Sequence, residues 1–180
     1  MNYLQFYYNT TLKYEYINKF ISYNSRNIPI VKKIVLNFGC KSANIKELAS
    51  SLLALELITG QEGELNRTKY SNILLKIRKG NPTGCKVTLA KIKSFIFLQK
   101  IVTEIIPNIK NFNGFLNKNK TNSFSFNLLD IFNFSDLEQR YYLFNILHKL
   151  NITIITNSNS NLELMFLLNS LKILVLNKRK

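Results

Sequence analysis

The sequence predicts an α+β fold: one domain, with a mainly antiparallel sheet and helices packed on one face. Three observations lead there. Stretches with apolar residues every four positions interleave irregularly with stretches that alternate apolar and polar residues. A Gly-Asn-Pro-Thr-Gly loop within "KIRKGNPTGCKVTL", Lys76 to Leu89, joins two alternating stretches as a hairpin would. No internal repeat or linker divides the 180 residues.

Leu4, Tyr8, Leu12, Tyr16 and Phe20 predict a helix over 4–21, within an N-terminal helical segment 1–24. Pro29 forces an extended entry into "VKKIVLNFG", a strand with Ile34, Leu36 and Phe38 on one face and Lys33, Val35 and Asn37 on the other. Leu48, Leu52 and Leu55 stripe a helix over 46–58 that closes at "TGQEG". Residues 65–70 read as a short strand, followed by two strands, "SNILLKIRK" and "GCKVTLAK". In the second, Cys85, Val87 and Leu89 face inward while Lys86 and Thr88 face out. Phe95, Leu98, Val102 and Ile105 mark a helix over 92–106, with Pro107 after it. Residues 108–127, rich in Asn and Lys, read as a long loop. "LNITIIT" is a strand, and Ser160 with Glu163 forms a capping box for a last helix to about 176. Residues 177–180 make a basic tail.

Charge narrows the function. Against 10 acids stand 25 Lys and Arg, a net +15, and a globular domain so basic meets a polyanion. The cations are spread along the whole chain, unlike those of a basic arm on a neutral domain. Cys40 and Cys85 lack metal-ligand spacing and read as small buried hydrophobes. His148 has no acid partner nearby and reads as structural or surface-exposed, and the Glu62/Glu64 pair reads as solvated. With no phosphate-cradling loop, dinucleotide fingerprint or nucleophile elbow, neither enzyme chemistry nor a metal or other cofactor is expected. No stretch reads as a membrane span, signal peptide or transit peptide. Abundant Asn, Lys, Ile, Phe and Tyr point to an AT-rich genome.

What remains is binding. The outward sheet face presents Lys33, Asn37, Lys86 and Thr88, groups that bond phosphate, sugar or base edges. Pro82 between Gly80 and Gly84 gives the loop Arg78-Lys79-Gly80-Asn81-Pro82-Thr83-Gly84 a stiff tip with little bulk.

The order "IPIVKKIVLNFG", "LITGQ", "KIRKGNPTGCKVTL", "IIPNIKNFNGF", "NITIIT" resembles the family of large-subunit ribosomal protein five, in its bacterial and organellar form. The resemblance runs from about Phe6 to Leu171. It implies a structural constituent of the large ribosomal subunit that binds 5S rRNA and large-subunit rRNA in the central protuberance. It assigns rRNA contact to Lys32, Lys33, Asn37 and Gly39 on the first strand, to Arg67, Thr68, Lys69 and Ser71 before the hairpin, and to Lys86 and Thr88. It turns the loop Arg78 to Gly84 towards P-site tRNA, and gives the loop after Phe112 a small-subunit head protein at the intersubunit bridge. The family has a Lys where Tyr70 stands. Composition and the absence of a transit peptide imply an organelle-encoded protein of the mitochondrial matrix; a plastid or an AT-rich bacterial cytoplasm is the alternative. The competing function is a basic peripheral membrane-associated protein, with the last helix and "NKRK" on anionic lipid.

Overall fold

The two periodicities become the expected two kinds of element. The computed structural model describes residues 2–20, 27–40, 44–74, 76–110, 112–117, 121–147 and 149–177. Their order is α1 (Tyr3–Tyr7), a π-helical stretch (Tyr8–Leu12), α2 (Lys13–Phe20), β1 (Val31–Gly39), α3 (Ile45–Thr59), β2 (Glu64–Arg67) and β3 (Pro82–Ala90). Then come α4 (Ile92–Lys100), a second π-helical stretch (Ile101–Ile105), α5 (Ile106–Asn108), β4 (Phe115–Asn117) and β5 (Ser123–Leu128). A 3-10 turn (Ile131–Asn133), α6 (Ser135–Glu138), α7 (Tyr141–Phe144), β6 (Leu150–Thr156), α8 (Asn161–Ser170) and β7 (Val175–Asn177) complete the chain.

The fold is α+β, with a five-stranded, mainly antiparallel sheet in the order β2-β3-β1-β6-β5 and a separate parallel pair, β4 with β7. Alternation sets the buried face of each strand. Ile34, Leu36 and Phe38, then Cys85, Val87 and Leu89, then Leu150, Ile152 and Ile154 are all buried.

Contacts divide the chain into two compact units, of which the first comprises residues 1–34, 89–126 and 153–180. In it the N-terminal helix meets α4, and the Tyr8 ring lies 5.9 Å from that of Phe95. The Tyr8 hydroxyl donates to the Pro29 carbonyl at 3.0 Å, and burial pushes its phenol up to about 12. Asn157 ties the approach to β1, accepting from the Ile30 N–H at 2.5 Å and donating to the Ile28 carbonyl at 3.2 Å. The cap of α8 forms as read: the Ser160 hydroxyl accepts from the Glu163 N–H at 3.2 Å, while the Glu163 carboxylate accepts from the Asn159 N–H at 2.9 Å.

The second unit comprises residues 35–88 and 127–152. Leu48, Ala54, Leu55 and Ile58 of α3 are buried there, and α6 and α7 lie against this helix. Ser51 Oγ sits 3.1 Å from Cys85 Sγ and donates to the Leu48 carbonyl at 2.8 Å. Burial raises the thiols of both Cys40 and Cys85, so neither is poised as a nucleophile. Cys85 is buried as expected, whereas Cys40 is only half-buried.

Several expectations need correction. The described residues of "SNILLKIRK", which leave out Leu75, form no strand: Ile73 and Leu74 lie in solvent, and Asn72 and Ile77 make an isolated bridge. The partner of β3 is instead the short β2. The stretch 108–127, read as one long loop, holds β4 and most of β5. There Phe115 packs on Phe126 at 4.1 Å and on Phe112 at 4.9 Å, giving the Asn-rich segment its own apolar anchor. Pro107 lies inside α5 rather than after the helix. The last helix stops at Ser170, because Lys172 turns to a φ of 66° and the Asn169 side chain accepts from the Val175 N–H at 2.9 Å. His148, residues 21–24 and residues 178–180 lie outside the described residues.

Tyr8 supplies a test. Tyr8→Phe leaves the Pro29 carbonyl without its donor and should cost about 1–2 kcal/mol in urea unfolding. The unfolded chain releases a phenol proton near 10, the folded one near 12. The contribution of this phenol is therefore complete below pH 10 and falls as pH rises towards 12. Unfolding midpoints should drop more steeply across that window in the wild type than in Tyr8→Phe.

Candidate nucleic-acid interface

The outward face is organised around a residue with no side chain. β2 and β3 pair with Glu64 opposite Lys86, Asn66 opposite Gly84 and Arg67 opposite Pro82, with a register shift between Asn66 and Arg67. A Cβ on Gly84 would lie 2.6 Å from the Phe38 carbonyl oxygen, so only glycine fits where β3 meets β1. Asn66 Nδ2 donates to Asn37 Oδ1 at 3.0 Å, linking residues of β2 and β1 past the glycine. The Asn37 side chain is therefore held in one orientation, half-buried.

Two pairs further along β3, Lys86 Nζ lies 3.2 Å from a Glu64 carboxylate oxygen, both side chains well exposed. Such a surface pair adds only about 0–1 kcal/mol to stability, but it partly neutralises the Lys86 charge. Beyond it Thr88 is exposed, and its carbonyl accepts from Gln61 Nε2 at 3.3 Å. Sequence reasoning missed Gln61. The signal was the "TGQEG" turn: Gly60, at a φ of 61°, ends α3 and delivers the next residue to the β3 edge.

Of the remaining expected residues, Lys32 and Lys33 are exposed along β1 and Gly39 is exposed at its end. Arg67, Lys69 and Ser71 are exposed, while Thr68 is half-buried and has a structural task. Its N–H donates to the Asn81 carbonyl at 3.0 Å and its carbonyl accepts from the Gly80 N–H at 3.0 Å. Its hydroxyl donates to the Arg78 carbonyl at 2.8 Å and sits 3.2 Å from that of Asn81. Thr68 thus clasps the two sides of a finger spanning residues 68–81.

A second rung lies further out, where Asn72 and Ile77 exchange backbone hydrogen bonds of 2.9 and 3.0 Å. The end is closed by the Lys76 N–H donating to the Ile73 carbonyl at 3.0 Å, with Lys76 at a φ of 52°. This corrects the expected tip. Arg78 to Asn81 form the returning base of the finger, and Pro82, Thr83 and Gly84 already belong to β3. The Thr83 carbonyl accepts from the Cys40 N–H at 2.9 Å. Among the described residues, Ile73, Leu74 and Lys76 lie beyond the outer rung instead.

From Leu65 to Thr103 the chain carries Arg67, Lys69, Lys76, Arg78, Lys79, Lys86, Lys91, Lys93 and Lys100, and no acid. Among the described residues no group of three His, Cys, Asp or Glu could hold a metal ion, and no helix is long and apolar enough to cross a membrane.

An amide pair, Asn66 with Asn37, bordered by exposed cations is the kind of surface that suits an anionic partner, and it makes this face the candidate interface. The sequence model for the C-terminus of the ribosomal L5 family matches residues 82–175. The chain is 36% identical over 183 residues to the large ribosomal subunit protein uL5m of Reclinomonas americana, covering 99% of this chain and 100% of that protein. It is 34% identical over 172 residues to the large ribosomal subunit protein uL5 of Campylobacter hominis, covering 93% and 94% of the two chains. Against uL5 of Syntrophus aciditrophicus identity is 32% over 157 residues, covering 84% and 86%. The chain belongs to the ribosomal L5 family, and its role is that of a structural ribosomal protein, not an enzyme.

Two substitutions separate frame from surface. Gly84→Ala must push β1 and β3 apart and should cost about 2 kcal/mol or more in chemical unfolding. Thr68→Val loses the hydroxyl bonds and should loosen only the finger, by about 1 kcal/mol. Amide exchange over 69–80 should then accelerate while exchange in β3 and β6 stays unchanged.

Proposed function

We propose that this protein is a constituent of the large subunit of a mitochondrial ribosome, where the outward face of β1–β3 binds 5S rRNA or large-subunit rRNA in the central protuberance. The carrying observation is the line of oriented polar groups, Asn66–Asn37 across Gly84 and Gln61 beside Thr88. A-form RNA presents 2′-hydroxyls and base edges in a wide, shallow minor groove, and such a helix is read by neutral donors and acceptors with phosphate contacts at the margin. Lys32, Lys33, Arg67, Lys69 and Ser71 supply that margin, Gly39 lets backbone approach, and Lys86 contributes in competition with Glu64. The finger and the turn Arg78 to Gly84 face P-site tRNA, and the segment after Phe112 meets a small-subunit head protein at the bridge.

A mitochondrial setting is supported by the uL5m relative, whose match spans that protein's full length. The bacterial relatives support the same role in an AT-rich bacterium or a plastid.

Lys33→Ala with Asn37→Ala should weaken binding of the full chain to a 5S-type RNA by about tenfold or more. The Lys33 change should flatten the dependence of log K on log salt by roughly one unit, and the Asn37 change should leave that slope alone. Unchanged affinity in the double variant would remove the sheet face from the proposal. Recovery of the chain with anionic liposomes and never with large subunits would favour the membrane-surface alternative.

A further inference from the structure

The finger's chemistry changes along its length. Its sides carry Lys69, Arg78 and Lys79 and its outer end carries Lys76, all exposed and with no acid in the segment. Tyr70, between the two rungs, is 83% exposed, and beyond the outer rung Ile73 and Leu74 are 92% and 93% exposed. Three large apolar side chains this open, on a loop clasped at two levels, are not residues of a local core, whereas Ile77 turns inward there, at 7%. A solvated turn gains nothing from such residues, and contiguous exposed apolar surface marks a contact.

We propose that Ile73 and Leu74, with Tyr70 on the flank behind them, form an apolar cap that packs on an unstacked nucleobase face of a folded RNA, while the flanking cations hold the neighbouring phosphates. The proposal rests on the reading that the finger faces tRNA, and adds that its end is read by stacking rather than by charge. Charge selects RNA over protein as the occupant. An apolar protein patch has no need of four cations around it, whereas a folded RNA is anionic everywhere except where a base or base pair turns its flat face to solvent. Side chains of this kind are the ones that stack on or wedge against bases. The finger also suits the task mechanically, because two backbone rungs hold the end in place and little ordering entropy is lost on contact.

The test compares the full chain on two RNAs, a tRNA transcript with its unstacked loop bases and a long continuous RNA duplex, across a salt series. Ile73→Ser with Leu74→Ser should cut the preference for tRNA over duplex by about tenfold, leaving the salt slope and the thermal midpoint unchanged. Tyr70→Ser should act in the same direction, and Tyr70→Phe should retain binding. Arg78→Ala with Lys79→Ala should instead lower the salt slope by roughly two units. If the apolar substitutions leave the preference intact while the Arg78/Lys79 pair weakens tRNA binding, the cap is overturned and the tRNA-facing finger survives. If neither pair affects tRNA binding, both fall. Unchanged RNA binding with loss of a neighbouring protein from assembled subunits would overturn the cap in favour of a protein contact.

Discussion

The close approach of β3 to the Phe38 carbonyl is the constraint on which the interface and the finger both depend. Any side chain at position 84 would stand 2.6 Å from a backbone oxygen that cannot move without unseating β1. With glycine there, one row of the outward face has no Cβ, and Asn37 and Asn66 meet across it. The pair does more than fill space. A lone exposed amide samples several rotamers, whereas one bonded to a second amide offers its free donor in a fixed direction. The same row sets the start of the finger, since the register shift falls just after Asn66 and Thr68 then clasps Asn81. Backbone contact, polar surface and projecting loop therefore share a single origin.

Electrostatics acts at a different range. The acid-free run of cations between Leu65 and Thr103 attracts an anion over about one Debye length, roughly 8–10 Å at ordinary salt, and without regard to sequence. Asn37, Gln61 and Thr88 act only at contact. Glu64 marks the boundary between the two regimes. By holding Lys86 at 3.2 Å it keeps a flexible cation from occupying the middle of the face, where a phosphate-seeking side chain would compete with oriented amides.

How much of this was legible follows from which interactions are local. Period-two alternation in β1 and β3 named the buried and exposed residues correctly, because a strand's face depends on its own residues alone. The capping pair Ser160 and Glu163 was likewise readable at short range. "SNILLKIRK" misled for the converse reason. Its apolar residues look like strand residues, but nothing in the sequence says that Thr68 and Asn81 close the backbone beneath them. The segment 108–127 hid its strands because Phe115 packs on Phe126, and β4 pairs with β7, some sixty residues away. Gln61 was overlooked since its importance lies in reaching Thr88, a contact between a turn and a strand that no periodicity records. The Gly-Pro composition of residues 80–84 suggested the tip of the loop, yet Pro82 to Gly84 already lie in β3 and the loop extends outward through Ile73 and Leu74.

That displacement changes what the finger can do. With its tip at the Gly-Pro turn, contact would come through backbone and phosphate, and an end made of small residues would be soluble without a partner. With its tip at Ile73 and Leu74 the finger exposes apolar surface at a hydration cost, roughly 25 cal/mol for each Å² left open. The fold gains nothing in return, since neither side chain touches the core. Two rungs of backbone hydrogen bonds nevertheless keep the residues extended in solvent instead of letting them collapse onto the sheet. A structure that spends hydrogen bonds to hold apolar groups away from its own core is organised for something outside it. The cations along the same finger limit what that can be, because they favour a partner that is anionic around the point of contact and apolar at it.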